Sequence, residues 1–90
     1  MKYQLAANIS LTQVDDESVL LDLDAGTYFG LNAVGTSFLQ LLEAKSSFPE
    51  AVSTVQSQYD APAEQVQHDL TELLTTLVDQ GLITRRGEAP

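Results

Sequence analysis

The chain offers few residues suited to covalent chemistry. His68 is its only histidine, and Gln67 and Asp69 beside it come without a cysteine or a convincing nucleophile at helical spacing. A lone histidine in such a setting is usually a surface residue. Distant serines could complete a Ser-His-Asp arrangement, but the nucleophile-elbow sequence Gly-x-Ser-x-Gly is absent. We therefore expect no catalytic residue and no enzyme activity.

The acidic run Asp15-Asp16-Glu17 could suggest a metal site. It lacks the spaced oxygen ligands and the glycine of a calcium-binding loop. The chain also has no cysteine, which excludes thiolate ligands. The sequence therefore favours a turn of solvated carboxylates, with no metal and no cofactor.

A segment suited to non-covalent binding lies at residues 19–32. Two apolar runs, 19–23 and 26–31, flank Asp24-Ala25-Gly26, which has the form of a three-residue hairpin loop with glycine in the left-handed conformation. The second run carries no charge and no proline, and we expect it at the edge of a sheet. Because such an edge can pair with a foreign backbone, the segment predicts a docking strand for an extended peptide.

Alternating apolar residues predict three strands, at residues 9–14, 19–23 and 26–31. Three helices are expected to follow: 33–44 after an Asn32 N-cap, 48–58 after a Ser46-Ser47 cap, and 62–80 before Gly81. Residues beyond Ile83 are polar and are expected to fray. The fold class is therefore α+β, a three-stranded antiparallel sheet followed by three helices, similar to a winged helix-turn-helix.

The third strand and the third helix are expected to border a groove. On the strand, Phe29 and Leu31 are candidates for the core side, which leaves Tyr28 exposed or lining a groove. The helix has one apolar stripe that Leu74 and Val78 widen; the stripe consists of Val66, Leu70, Leu73 and Leu77. Its excess apolar surface could border a groove or be buried as core.

Length and charge restrict the class of partner. The 90 residues suit one domain, placed at residues 1–84 with a flexible tail at 85–90. Thirteen acidic residues face four basic ones, and a formal net charge of −9 repels phosphate backbones and anionic lipid. The third helix has no lysine or arginine, which disfavours DNA binding. Neither a membrane span nor a secretory signal is recognisable, which favours the cytoplasm.

The hairpin and the helices resemble a known family. The stretches LLDLDAGTYFGLNAVGTSFLQLLE and FPEAVSTVQSQYDAPAEQVQHDLTELLTTLVDQGLI are similar to PqqD-like proteins, the peptide-binding domains called RiPP precursor recognition elements. The most specific parts are the hairpin Asp-Ala-Gly-Thr-Tyr-Phe-Gly-Leu-Asn and the Val34-Gly35 pair after it. The pairs Asp69-Leu70, Leu73-Leu74 and Gly81-Leu82 carry the rest of the resemblance, which spans residues 11–83.

The resemblance implies a role in delivering a peptide. In this family the leader segment of a ribosomally made precursor adds as an antiparallel strand beside the third strand, with its side chains against the third helix. The implied peptide-binding residues are Thr27, Tyr28, Phe29, Gly30, Leu31, Gln67, Asp69, Leu70, Thr71 and Leu74. Phe29 and Leu70 are at least as well suited to the core, and a carboxylate such as Asp69 more often lies on a solvated face.

The resemblance also implies the partners. These are the precursor leader peptide and a maturation enzyme, either a leader peptidase or a radical or other modifying enzyme. The chain resembles the stand-alone members, which serve lasso peptide and pyrroloquinoline quinone pathways among others, and the residues do not decide between these pathways.

The runner-up function is a generic interaction module or a homodimer. An exposed edge strand can pair with its own copy as readily as with a leader, so we expect a monomer or a weak dimer. A leader peptide that competes with self-association would distinguish the two hypotheses.

Overall fold

The computed structural model describes residues 2–44 and 47–86, which contain five strands and three helices. The strands are β1 (Lys2–Leu5), β2 (Ile9–Val14), β3 (Glu17–Asp22), β4 (Tyr28–Leu31) and β5 (Ile83–Arg86); the helices are α1 (Ala33–Glu43), α2 (Phe48–Tyr59) and α3 (Ala63–Asp79). β2, β3 and β4 form an antiparallel sheet in that order, and β1 pairs with β5 in a second sheet. The predicted α+β fold, a three-stranded sheet with three helices, is confirmed.

The two-stranded β1–β5 sheet is the part of the fold that the sequence pattern does not predict. β1 precedes the first predicted strand, and β5 includes Arg85 and Arg86, where the pattern predicts a frayed tail. Lys2 pairs with Arg86 and Leu5 with Ile83, and the strands bring Tyr3 and Ile83 into the core. Residues 87–90 of the predicted tail lie outside the described residues.

Asp22 closes the β3–β4 hairpin. Its Oδ1 accepts hydrogen bonds from the N–H groups of Asp24 and Ala25 and from the side-chain amide of Asn8, each at 3.0 Å. The Gly26 N–H donates to the Asp22 carbonyl oxygen at 2.8 Å, and Gly26 has a φ of 74°. The left-handed glycine predicted for this loop is therefore present. The connection is slightly longer than predicted, because β3 ends at Asp22 and β4 begins at Tyr28.

The helix ends follow their capping residues. Asn32 Oδ1 accepts the Gly35 N–H at 2.9 Å at the start of α1. Ser47 and Glu50 form a capping box at the start of α2, with bonds of 2.9 and 3.3 Å. Ser46, the other half of the predicted cap, lies outside the described residues. α3 follows Pro62 without a side-chain cap. The three predicted helices are confirmed to within one residue at each end.

The core lies between the three-stranded sheet, the helices and the second sheet. Its fully buried side chains include Leu20, Phe38, Leu42, Val55 and Leu77. On β4, Phe29 packs against the core and Leu31 is buried, while Tyr28 is exposed, as predicted. β3 turns Ser18 and Leu20 inward, so Val19 and Leu21 lie on the opposite face of the sheet. None of the described helices has the length and apolar character needed to cross a lipid bilayer.

Candidate functional site

The open edge of β4 is the first component of the site. Within residues 2–44 and 47–86, β4 pairs with β3 alone. The Asp22 N–H donates to the Thr27 carbonyl oxygen at 2.8 Å, and this bond determines which residues of β4 form hydrogen bonds with β3. Phe29 and Leu31 therefore exchange hydrogen bonds with β3, and the backbone N–H and C=O groups of Tyr28 and Gly30 point away from it. The edge can accept a further strand through these four groups.

A cleft of about 530 Å³ beside this edge is the second component. It lies between β4, the start of α1 and the middle of α3. Its lining residues are Phe29, Gly30, Leu31, Asn32, Val34, Gly35, Asp69, Leu70 and Leu73. Most of these are apolar, and Asp69 is the one charged residue among them. The cleft can therefore take apolar side chains, and Asp69 offers a carboxylate to a donor or a cation.

Gly35 allows three elements to meet at the wall of the cleft. A Cβ at this position would lie 3.2 Å from Leu31 Cδ2 and 3.4 Å from Leu73 Cδ2. The first of these distances is shorter than ordinary van der Waals contact, so the Leu31 side chain would have to shift by a few tenths of an ångström to admit a larger residue. Gly35 therefore lets α1 approach β4 and α3 closely.

The structure brings five of the ten predicted peptide-binding residues to the cleft: Phe29, Gly30, Leu31, Asp69 and Leu70. Tyr28 is exposed beside it on β4, and Thr27 is exposed in the hairpin loop just before the strand.

The remaining three predicted residues lie on other sides of α3. Gln67 lines a depression with Phe48 and Val52 of α2, and Leu74 borders a groove of about 180 Å³ with Tyr3 and Arg85. The Thr71 hydroxyl donates to the Gln67 carbonyl oxygen. The excess apolar surface of α3 thus does border a groove, but one formed with β1 and β5.

Sequence reasoning missed four lining residues: Asn32, Val34, Gly35 and Leu73. Leu73 belongs to the same helical stripe as Leu70, three positions away, and a stripe can line a cleft and reach the core at once. Asn32 and Val34 lie at the junction between the edge strand and α1. Their position at this junction is the signal that could have identified them as lining residues.

The candidate catalytic and metal residues lie apart from the cleft. His68 is exposed on α3, with its Nε2 3.1 Å from Glu72 Oε1. Neither residue lines the cleft. Across the described ranges, no group of three or more histidine or acidic side chains is arranged to hold a metal ion.

The sequence profile described as "Coenzyme PQQ synthesis protein D (PqqD)" matches residues 17–83. The chain belongs to the PqqD family. The match runs from the start of β3 to the start of β5, so the PqqD profile includes every element that forms the edge and the cleft. The family resemblance predicted from the hairpin and the helices is confirmed.

Two solved structures resemble this PqqD-family chain over nearly all of its length. One is described as "TbiB1 in Complex with the TbiA(beta) Leader Peptide"; it is 36% identical, has a TM-score of 0.81, and both chains are covered completely. The other is described as "Lasso peptide synthetase B1 complexed with the leader peptide"; it is 27% identical, has a TM-score of 0.85, and the alignment covers 94% of this chain and 100% of that one. No curated protein matches the sequence.

Proposed function

We propose that this chain binds the leader segment of a ribosomally synthesised precursor peptide and presents it to a maturation enzyme, without catalysing a step itself. The open β4 edge beside an apolar cleft is the observation that carries the proposal. The two related structures support this class of ligand, because their descriptions name a bound leader peptide.

The leader would add as a fourth strand, antiparallel to β4. Its backbone would pair with the outward N–H and C=O groups of Tyr28 and Gly30. Alternate leader side chains would enter the cleft against Phe29, Leu70 and Leu73, and the others would lie beside Tyr28 on the outer face. Contact with Gln67, Thr71 or Leu74 would require a leader that extends beyond the cleft.

Backbone pairing alone would give little affinity. Four hydrogen bonds contribute about 1 kcal/mol each, and ordering a flexible peptide costs about 2–5 kcal/mol. These amounts nearly cancel. The affinity and the choice of leader must therefore come from side chains that fill the cleft and from a donor placed near Asp69.

We also propose a lasso peptide pathway, because one of the two related structures is described as a lasso peptide synthetase B1. The receiving enzyme would then be a leader peptidase. The cytoplasmic location and the monomeric or weakly dimeric state stay predictions from the sequence.

Fluorescence anisotropy of labelled leader peptides tests the proposal. The probes are the TbiA(beta) leader peptide and the leader peptide of the cognate precursor. Tyr28→Pro removes one outward N–H and leaves every hydrogen bond to β3 in place. We therefore expect the affinity for the leader to fall at least tenfold, while the circular dichroism spectrum shows that the fold is unchanged. Tyr28→Val keeps the N–H and serves as the matched control.

Three outcomes would overturn strand addition at β4. They are wild-type affinity in Tyr28→Pro, equal losses in the proline and valine variants, and no binding of either leader by the wild-type chain. Light scattering with and without leader separates the alternative, since self-pairing of β4 would make the leader dissociate a dimer.

A further inference from the structure

The outer face of the three-stranded sheet, which also carries Ser10, Thr12 and Glu17, exposes several large apolar side chains to solvent. Six large hydrophobic side chains are exposed in the described part of the chain, and four of them lie on this face: Val14 (59%), Val19 (36%), Leu21 (38%) and Tyr28 (78%). We call these four residues the outer apolar face. An antiparallel sheet with one solvated face normally alternates apolar inside with polar outside. Clustered exposed apolar residues instead mark an interaction surface.

Gly30 opens a notch in this face. A notch of about 310 Å³ lies over it, with Val14, Glu17 and Val19 on its other side. Gly30 has no positive φ, and a Cβ there would meet no atom within 4 Å, so neither the backbone nor packing requires glycine. Glycine weakens a strand interior and often marks the close approach of another molecule. The notch is therefore suited to a side chain from a partner.

A leader strand on β4 is too far away to cover the outer apolar face. Neighbouring strands lie about 4.8 Å apart, so an added strand would be roughly 10 Å from β3 and roughly 14 Å from β2. Leader side chains on this side could contact Tyr28, but Val14 on β2 would stay exposed. A leader bound at β4 therefore leaves most of the face available to a different molecule.

The charges around the face indicate the chemistry of that molecule. Asp15, Asp16 and Glu17 lie at one end of the sheet and Asp24 at the other, all exposed. No lysine or arginine occurs between residues 3 and 44. A second copy would bring two acidic rims together, at a cost in repulsion. A protein with an apolar projection surrounded by lysine and arginine is complementary to both the notch and its rim.

We propose that the outer apolar face docks the maturation enzyme that receives the leader, with an apolar side chain of the enzyme in the notch over Gly30. This inference rests on the proposed leader-binding function and adds the place where the enzyme binds. The face is continuous with the β4 edge through Tyr28, so an enzyme docked there would lie directly beside the bound leader.

The test compares two binding events on the same variants. Val19→Glu and Leu21→Glu add a carboxylate to the face, and Ser57→Glu on the exposed side of α2 is the matched control. The probes are the leader peptidase and the leader peptide of the cognate pathway. We expect peptidase affinity, measured by titration calorimetry without leader, to fall at least tenfold in the two face variants and to stay unchanged in Ser57→Glu. Leader affinity should stay within twofold in all three.

The possible failures can be told apart. Unchanged peptidase binding in both face variants overturns the docking proposal, even when the leader binds normally. Loss of leader affinity in Val19→Glu overturns it as well, because the face would then serve the leader. A wild-type dimer that becomes monomeric in Leu21→Glu assigns the face to a second copy. A wild-type chain that binds the peptidase but no leader refutes the proposed function while the docking face stands.

Discussion

The carboxylate of Asp22 fixes the loop from which the edge strand starts. The N–H of Ala25 is the main cause that lowers the pKa of Asp22 below its usual value; burial opposes this, and Asp24 and Asn8 add to the lowering. A group with a lowered pKa in the folded state stabilises the fold fully above its unfolded pKa, about 3.9 for aspartate. This stabilisation disappears as the pH falls through the lowered value.

We expect Asp22→Asn to lower the Tm at about pH 6, where the carboxylate is ionised in both the folded and the unfolded chain. The difference from the wild type should shrink as the pH falls below about 3.9. Thermal unfolding followed by circular dichroism over this range measures it. Asp24→Asn removes the same charge from the same loop and is the control. A difference independent of pH, or an equal loss in the control, contradicts the prediction.

The hydroxyl groups of Ser18 and Thr36 satisfy each other in the core. Their oxygens lie 2.8 Å apart, and each residue is 2% exposed. Thr36→Val keeps the volume but leaves the Ser18 hydroxyl without this partner, at a cost of about 1–3 kcal/mol. Adding Ser18→Ala should recover part of that loss, because no orphaned hydroxyl remains. Urea unfolding measures Thr36→Val, Ser18→Ala and the double variant, and a loss in the double variant equal to the sum of the two single losses would refute the coupling.

At the scale of elements, the sequence predicts what local chemistry determines. Asn32 and the Ser47–Glu50 box define the starts of α1 and α2, and Gly26 and Gly81 take the left-handed conformation after β3 and α3. β1 and β5 lie at opposite ends of the chain, so their pairing has no local signal. The sequence also does not show which face of β3 points inward, because both faces carry large apolar residues: Leu20 on one, Val19 and Leu21 on the other. Contacts with α1, including the bond from Ser18 to Thr36, decide it.

The β1–β5 pairing predicts that the end of the chain supports the core. Truncation after Ile83 removes three of the four residues that pair with β1. We expect a lower Tm and faster hydrogen exchange of the β1 amides, because Tyr3 would lose the strand that holds it in place. Truncation after Arg86 keeps β5 and is the control. An unchanged Tm in the shorter variant would mean that residues 84–86 behave as the frayed tail that the sequence pattern predicts.

At the scale of the whole molecule, the candidate site joins β4 and the start of α1, which are neighbours in sequence, to α3, which is distant in sequence. The sequence predicts the edge strand and the use of α3, but not which side of α3 faces β4. Asp69, Leu70 and Leu73 line the cleft, while Leu74 turns toward Tyr3. The rotation of α3 depends on packing against α1, α2 and the β1–β5 sheet, and this packing is a property of the assembled fold.

The distribution of charge separates this molecule from winged-helix proteins that bind DNA. α3 carries Glu64, Asp69, Glu72 and Asp79, all exposed, and no lysine or arginine. DNA affinity depends on neutralising phosphates and therefore rises as salt is lowered. We expect no anisotropy change with labelled random duplex DNA at about 50 mM salt, a condition that favours even non-specific binding. The labelled leader measured in parallel shows that the same protein sample is active. Duplex binding that strengthens steeply between about 150 and 50 mM salt would contradict the charge argument, because this surface, with a net charge of −9, would then have to present a local cationic patch.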